Sequence, residues 1–128
     1  MIYSVSNNII SSLGFSSEEN YLAVKQGISG LKRYEKVFNL PEPIMASRIN
    51  DNKLDEAFFS IDSRKNNAYT RFEKAAILSV YKALEKTTIN PASKKVLFIL
   101  STTKGNIELL DTTKSNLYDP ERVYLWRS

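Results

Sequence analysis

An α/β fold is predicted by three features of this sequence. Val96, Leu97, Phe98, Ile99 and Leu100 are five consecutive bulky apolar residues. The run is too short for a lone helix and apolar at every position, the pattern of a strand covered on both faces. Residues 70–87 carry a wide apolar stripe at helical spacing and lead, through Asn90 and Pro91, into that run. This is the helix-then-strand order of a βαβ unit. Composition is that of an ordinary globular chain, 42% hydrophobic and 25% charged over 128 residues, long enough to bury roughly two thirds of its unfolded surface in one core.

The N-terminal stretch mixes Ile2, Tyr3, Val5, Ile9 and Ile10 with Ser and Asn. It reads as a strand entering a polar loop, broken by Gly14. Ser16 and Glu19 stand at capping-box spacing, and Tyr21, Val24 and Ile28 recur at i, i+3 and i+7, so a helix is expected over 17–26. Gly27 and Gly30 are expected to close it by supplying the positive φ of a helix exit. Residues 31–43 hold the charged cluster Lys32, Arg33, Glu35 and Lys36 and end on Pro41 and Pro43, the mark of an irregular connection. A short strand is expected over 44–49. Leu54, Phe58 and Ile61 then fall near helical spacing, and residues 60–67 are polar and expected to be exposed.

Thr70 and Glu73 repeat the capping-box spacing ahead of Phe72, Ala75, Ala76, Val80, Ala83 and Leu84 at i, i+3, i+4, i+8, i+11 and i+12. The resulting helix is expected to bury Ala75, Ala76, Val80 and Ala83 against the sheet that contains residues 96–100. Beyond the turn at Gly105 a further helix is expected to start at Ile107, and 111–117 is polar. Asp119, Pro120 and Glu121 form a helix-start signal, cap then first position then first turn, with Val123 and Trp126 following at helical spacing. The chain is read as stopping inside this last element.

The sequence contains no Cys and no His, which removes disulfides, thiolate zinc sites, cysteine nucleophiles and imidazole bases. No cofactor or metal is expected. Lys and Arg number 18 against 14 Asp and Glu, a net charge of +4. These charges are interspersed, an arrangement that suits an acidic protein partner better than nucleic acid. No apolar run nears the roughly 20 residues of a membrane span, and the N-terminus lacks the pattern of a signal peptide. A soluble, cytoplasmic protein that does not engage a membrane is expected.

In open α/β sheets, ligands sit at the loops leaving the carboxyl ends of strands. Ser101, Thr102, Thr103, Lys104, Gly105 and Asn106 are therefore the candidate pocket wall or dimer edge. A phosphate loop would need G-x-x-x-x-G-K-[ST], whereas STTKGN has one Gly, preceded by its Lys, so Gly105 reads as a turn residue. The carboxylate groups Glu18/Glu19, Asp51/Asp55/Glu56 and Glu108/Asp111 lie in polar stretches and read as solvated or helix N-terminal charge. Lys32, Arg33 and Lys36, and the pair Arg64 and Lys65, read as solvated faces, with docking of an acidic partner as the functional alternative.

Three segments, in one order, carry a family resemblance. SSEENYLAVKQGISGLKRYE resembles the first helix and Gly-x-Ser-Gly exit of the β-ketoacyl-acyl-carrier-protein synthases, a branch of the thiolase-like fold. YTRFEKAAILSVYKALEKTTINP is similar to their second long helix, and KKVLFILSTTKGNIELL to the strand and loop that follow. The resemblance implies that residues 1–128 are the N-terminal segment of a layered thiolase-like ketosynthase domain, ending before its catalytic segment. The parent would be an acyltransferase of fatty-acid or polyketide-type synthesis that condenses acyl and malonyl thioesters on an acyl carrier protein. In that family a Cys nucleophile and two later His residues do the chemistry, so no catalytic residue carries over to this chain. The resemblance further implies carrier-protein docking, for which Lys32, Arg33 and Lys36 are the candidates, and homodimerisation or self-association. The N-terminal SVSNNIISSLG has fewer glycines than the family pattern, as does STTKGN. A non-catalytic subunit like the chain-length factors that pair with ketosynthases is the alternative, followed by an independent protein-binding module.

Overall fold

The computed structural model describes residues 1–37, 40–63, 69–112 and 118–123. Among these residues the chain is mixed α/β, with three α-helices and a two-stranded antiparallel sheet.

Helix α1 spans Ser17–Lys25. The Ser16 hydroxyl accepts from the Glu19 N–H at 3.2 Å, the first half of the expected capping box, while the Glu19 carboxylate accepts from the Phe15 N–H at 2.7 Å in place of that of Ser16. At its far end Gly27, at φ +72°, donates to the Val24 carbonyl while Ile28 donates to that of Ala23, both at 2.9 Å. This is a Schellman exit. Gly30 serves a different purpose from the one expected: it is not in the left-handed region, and an added Cβ would lie 2.1 Å from Ser12 Oγ. The apolar stripe of α1 is also not its packed face. Tyr21, Val24 and Ile28 are exposed, whereas Asn20 and Ala23 are buried. The Asn20 amide reaches the carbonyls of Ile9, Gly14 and Ser16 at 2.8–3.2 Å and accepts from the Ser11 hydroxyl, binding the N-terminal loop to the helix. Residues 2–10, expected as a strand entering a polar loop, form no strand; Asn8 instead donates to the Phe15 carbonyl and to the Ser79 hydroxyl.

Strands β1 (Leu31–Tyr34) and β2 (Ile44–Ser47) pair antiparallel, with Leu31 opposite Ser47 and Tyr34 opposite Ile44. The expectation of an irregular connection over 31–43 is thus corrected for its first four residues. Their charged composition disguises a strand whose side chains are mostly exposed. Helix α2 (Asp51–Phe59) starts at Asn50, whose side chain accepts from the Lys53 N–H at 3.0 Å, and buries Leu54 and Phe58, one turn apart. Helix α3 (Arg71–Leu84) carries the complete Thr70/Glu73 capping box.

The core lies between α2, α3 and the 3₁₀ turn Ile107–Leu110: Leu54, Phe58, Leu78 and Leu109 are each at most 2% exposed. Phe58 meets Tyr69 edge-on, ring centroids 5.3 Å apart, and Lys74 pairs with Asp55 across the two helices at 2.7 Å. The expected packing of α3 on a sheet is corrected here. Residues 96–100 form no strand, Ala76 is half-buried and Val80 exposed. A strand exists only where another segment supplies its ladder, and none does so here. The five apolar residues are left 41–82% exposed. At the C-terminal side Arg122 N–H returns to the Asp119 carbonyl at 3.2 Å, one turn on the expected helix-start signal. Trp126 lies outside the described residues, as do Arg64, Lys65 and most of 111–117.

Candidate functional site

The loop 101–106 divides into two halves. Ser101, Thr102, Thr103 and Lys104 are exposed. The Thr102 hydroxyl folds back to accept from the Gly105 N–H at 3.0 Å and the Lys104 N–H at 3.4 Å, an ST-type turn. Gly105, at φ +50°, takes the left-handed conformation that an L side chain resists and directs the chain inward. Asn106 is then completely buried.

At Asn106 four side chains converge from three parts of the chain. The Thr70 hydroxyl donates to Asn106 Oδ1 at 2.7 Å. Asn106 Nδ2 donates to Glu73 Oε1 at 2.7 Å and to the Arg122 carbonyl at 3.3 Å. Glu73 accepts the Thr70 N–H at 2.8 Å and holds Arg122 Nη2 with both oxygens at 2.9 Å. The capping carboxylate of α3 is therefore also the anchor of the turn 119–122. No buried side-chain nitrogen or oxygen among the described residues lacks a hydrogen-bond partner, so the node is satisfied internally. Its chemistry is positional: the donors and acceptors of Asn106 and Glu73 are spent on other protein groups.

The hydroxyls of Ser101, Thr102 and Thr103 have no basic side chain in hydrogen-bond contact among the described residues, and no nucleophile–base pair forms. Beside the loop lies an apolar groove of about 310 Å³ walled by Ile49, Leu54, Phe72, Ala75 and Ile107. Of the six candidate loop residues only Gly105 lines it.

The three basic candidates do not share a face. Lys32 and Arg33 are adjacent in β1 and point to opposite sides of the sheet. Arg33 is engaged with Glu35 at 2.8 Å, both exposed, and Lys36 occupies a turn at φ +50°. The carboxylates expected as solvated or helix N-terminal charge are corrected in part: Glu19 acts on its own helix start, whereas Asp51, Asp55 and Glu108 reach other segments. Asp51 pairs with Arg71 at 2.6 Å, Glu108 accepts the Arg71 N–H, and Glu19 caps α1. The Phe15 N–H donated to Glu19 holds its carboxyl below the usual range, assisted by Ser16 and the charge of Lys82 and opposed by partial burial. Sequence reasoning missed the roles of Arg122 and Asn20. Asn20 sits in the expected helix and Arg122 in a turn where a helix start was expected, and nothing in either local pattern marks the long-range partner.

Comparison of the chain with protein-family models, with curated proteins and with solved structures finds no match. No helix among the described residues is long and apolar enough to cross a membrane.

Proposed function

We propose that this chain is the N-terminal part of a β-ketoacyl-acyl-carrier-protein synthase domain of thiolase-like fold, contributing scaffold rather than catalytic groups. The parent protein condenses acyl and malonyl thioesters on an acyl carrier protein in the cytoplasm and works as a homodimer. The observation that carries this reading is the state of residues 96–100. They are apolar at every position, have no ladder, and are 41–82% exposed. Such a run is suited to the interior of a layered sheet, with strands beside it and helices over both faces, and a synthase domain supplies that setting. The ordered resemblance of the segments around α1, α3 and residues 94–110 supports the same assignment.

The coding sequence that flanks residues 1–128 tests the proposal. A Cys in a small-residue loop downstream, followed by two His motifs, supports a synthase. A matching continuation without that Cys favours the non-catalytic subunit, and unrelated flanking sequence defeats both. The scaffold role has its own test, intact mass after incubation with an acyl-carrier-protein thioester. No adduct is expected, and a stoichiometric acyl group on Ser101, Thr102 or Thr103, lost on mutation of that residue, would overturn it.

A further inference from the structure

A cleft of about 540 Å³ opens between the exit of α1, strand β1 and the start of α2. Its cationic side is formed by Lys32, Arg48 and Lys53. These come from β1, from the residue after β2 and from the first turn of α2, so only the fold brings them to one cavity. Arg48 lies over the ring of Tyr34, 5.6 Å from its centroid, which orients its guanidinium. Lys32 and Lys53 have no ion-pair partner among the described residues. Among the described residues the lining contains one carboxylate, Asp51, and that group is engaged by Arg71 at 2.6 Å.

The same lining includes the apolar side chains of Leu13, Ile28 and Ile49. Gly30, also in the lining, is closely packed. The Ser12 and Ser47 hydroxyls are 2.7 Å apart, and both would crowd a Cβ at Gly30. Three cations against one carboxylate leave the lining at a net +2. A phosphate monoester carries about −1.5 to −2 at neutral pH, whereas a single carboxylate would balance only half of that charge. The volume falls in the range of small-molecule sites, roughly 300–1,000 Å³, and exceeds what an inorganic ion fills.

We infer that this cleft binds a phosphate monoester carried on a short apolar body. The phosphate sits among Lys32, Arg48 and Lys53, and the apolar body lies on Leu13, Ile28 and Ile49. The inference is independent of the synthase reading.

Titration of the ¹⁵N-labelled chain with n-hexyl phosphate, followed by amide shifts, tests it. Saturable shifts are expected at residues 30–32 and 50–53. Affinity should be at least tenfold above that for inorganic phosphate, and at least tenfold weaker in the K32Q/K53Q variant. Both lysines are exposed, and the dispersion of the variant's own spectrum reports that it is folded. Absence of saturable shifts, equal affinity for inorganic phosphate, or unchanged affinity in the folded double variant would each overturn the assignment. Loss of binding in an I49S variant with both lysines intact would support the apolar half of the site, and its retention at full strength would defeat that half.

Discussion

Replacing Asn106 by Ala probes the node that joins the loop 101–106 to α3 and to the turn at Arg122. The substitution removes the bonds to Thr70 Oγ1, Glu73 Oε1 and the Arg122 carbonyl. Glu73 Oε1 keeps Arg122 Nη2, but the Thr70 hydroxyl loses its acceptor and the Arg122 carbonyl its donor, at a site where Thr70 is fully buried. Each buried group left unsatisfied costs about 1–3 kcal/mol. With some relief from water entering the vacated space, the total is about 2–4 kcal/mol. Against a typical stability of about 5–15 kcal/mol this is a large loss. In urea, with a slope of about 1–3 kcal/mol/M, it should lower the midpoint of the far-UV transition by about 1–2 M. Thr70→Val removes the hydroxyl from the other side and also weakens the cap on the Glu73 N–H. The two changes should be non-additive by about 1–2 kcal/mol. A loss below about 0.5 kcal/mol for N106A, or strict additivity with T70V, would refute the node.

The Glu19 carboxyl is held below its usual range chiefly by the Phe15 N–H, so its contribution is present above the unfolded pKa of about 4.3 and disappears as pH falls through the lower folded value. The stability gap between the wild type and E19Q should therefore narrow as pH falls below about 4.3 in pH-resolved unfolding, and a gap that stays constant on acidification would contradict the assignment. Leu97 and Ile99, the two most exposed residues of the apolar run at 82% and 79%, should drive self-association of the isolated chain. Sedimentation should show concentration-dependent growth for the wild type and a monomer for L97K/I99K; a wild type that stays monomeric at high concentration and binds no apolar dye would defeat this. At Gly30, where a Cβ would meet Ser12 Oγ at 2.1 Å, G30A should destabilise by about 1–2 kcal/mol. S12A should recover much of that loss, and equal costs with and without S12A would place the strain elsewhere.

Local signals were the legible part of this chain. Ser16 with Glu19, Thr70 with Glu73, and Gly27 after α1 each act within a turn or two of backbone, and each is used as its spacing implies. The same holds for Leu54 and Phe58, whose separation by four residues places both on the buried side of α2. Gly30 shows where such reading stops. Its neighbours in sequence suggested a helix exit, but its reason is Ser12, eighteen positions away. Within residues 101–106 the exposed and buried halves could not be told apart from the sequence, because the burial of Asn106 depends on Thr70 and Arg122.

What the amino-acid order determines by itself is the placement of α1 and α3, the helical spacing of Leu54 and Phe58, the absence of thiol and imidazole chemistry, and the apolar character of residues 96–100; the helix expected from Ile107 is a four-residue 3₁₀ turn. Caps, helical spacing and composition depend on atoms close together along the chain. The tertiary structure alone decides which faces are buried and which strands exist. Residues 31–34, two of them charged, pair because Ile44–Ser47 lies alongside, while the far more apolar residues 96–100 remain unpaired for want of a neighbour. A ladder is a property of two segments. The node at Asn106 spans 36 residues to Thr70 and 16 to Arg122, and the cationic cleft draws on three separate elements, so neither leaves a periodic trace in the sequence.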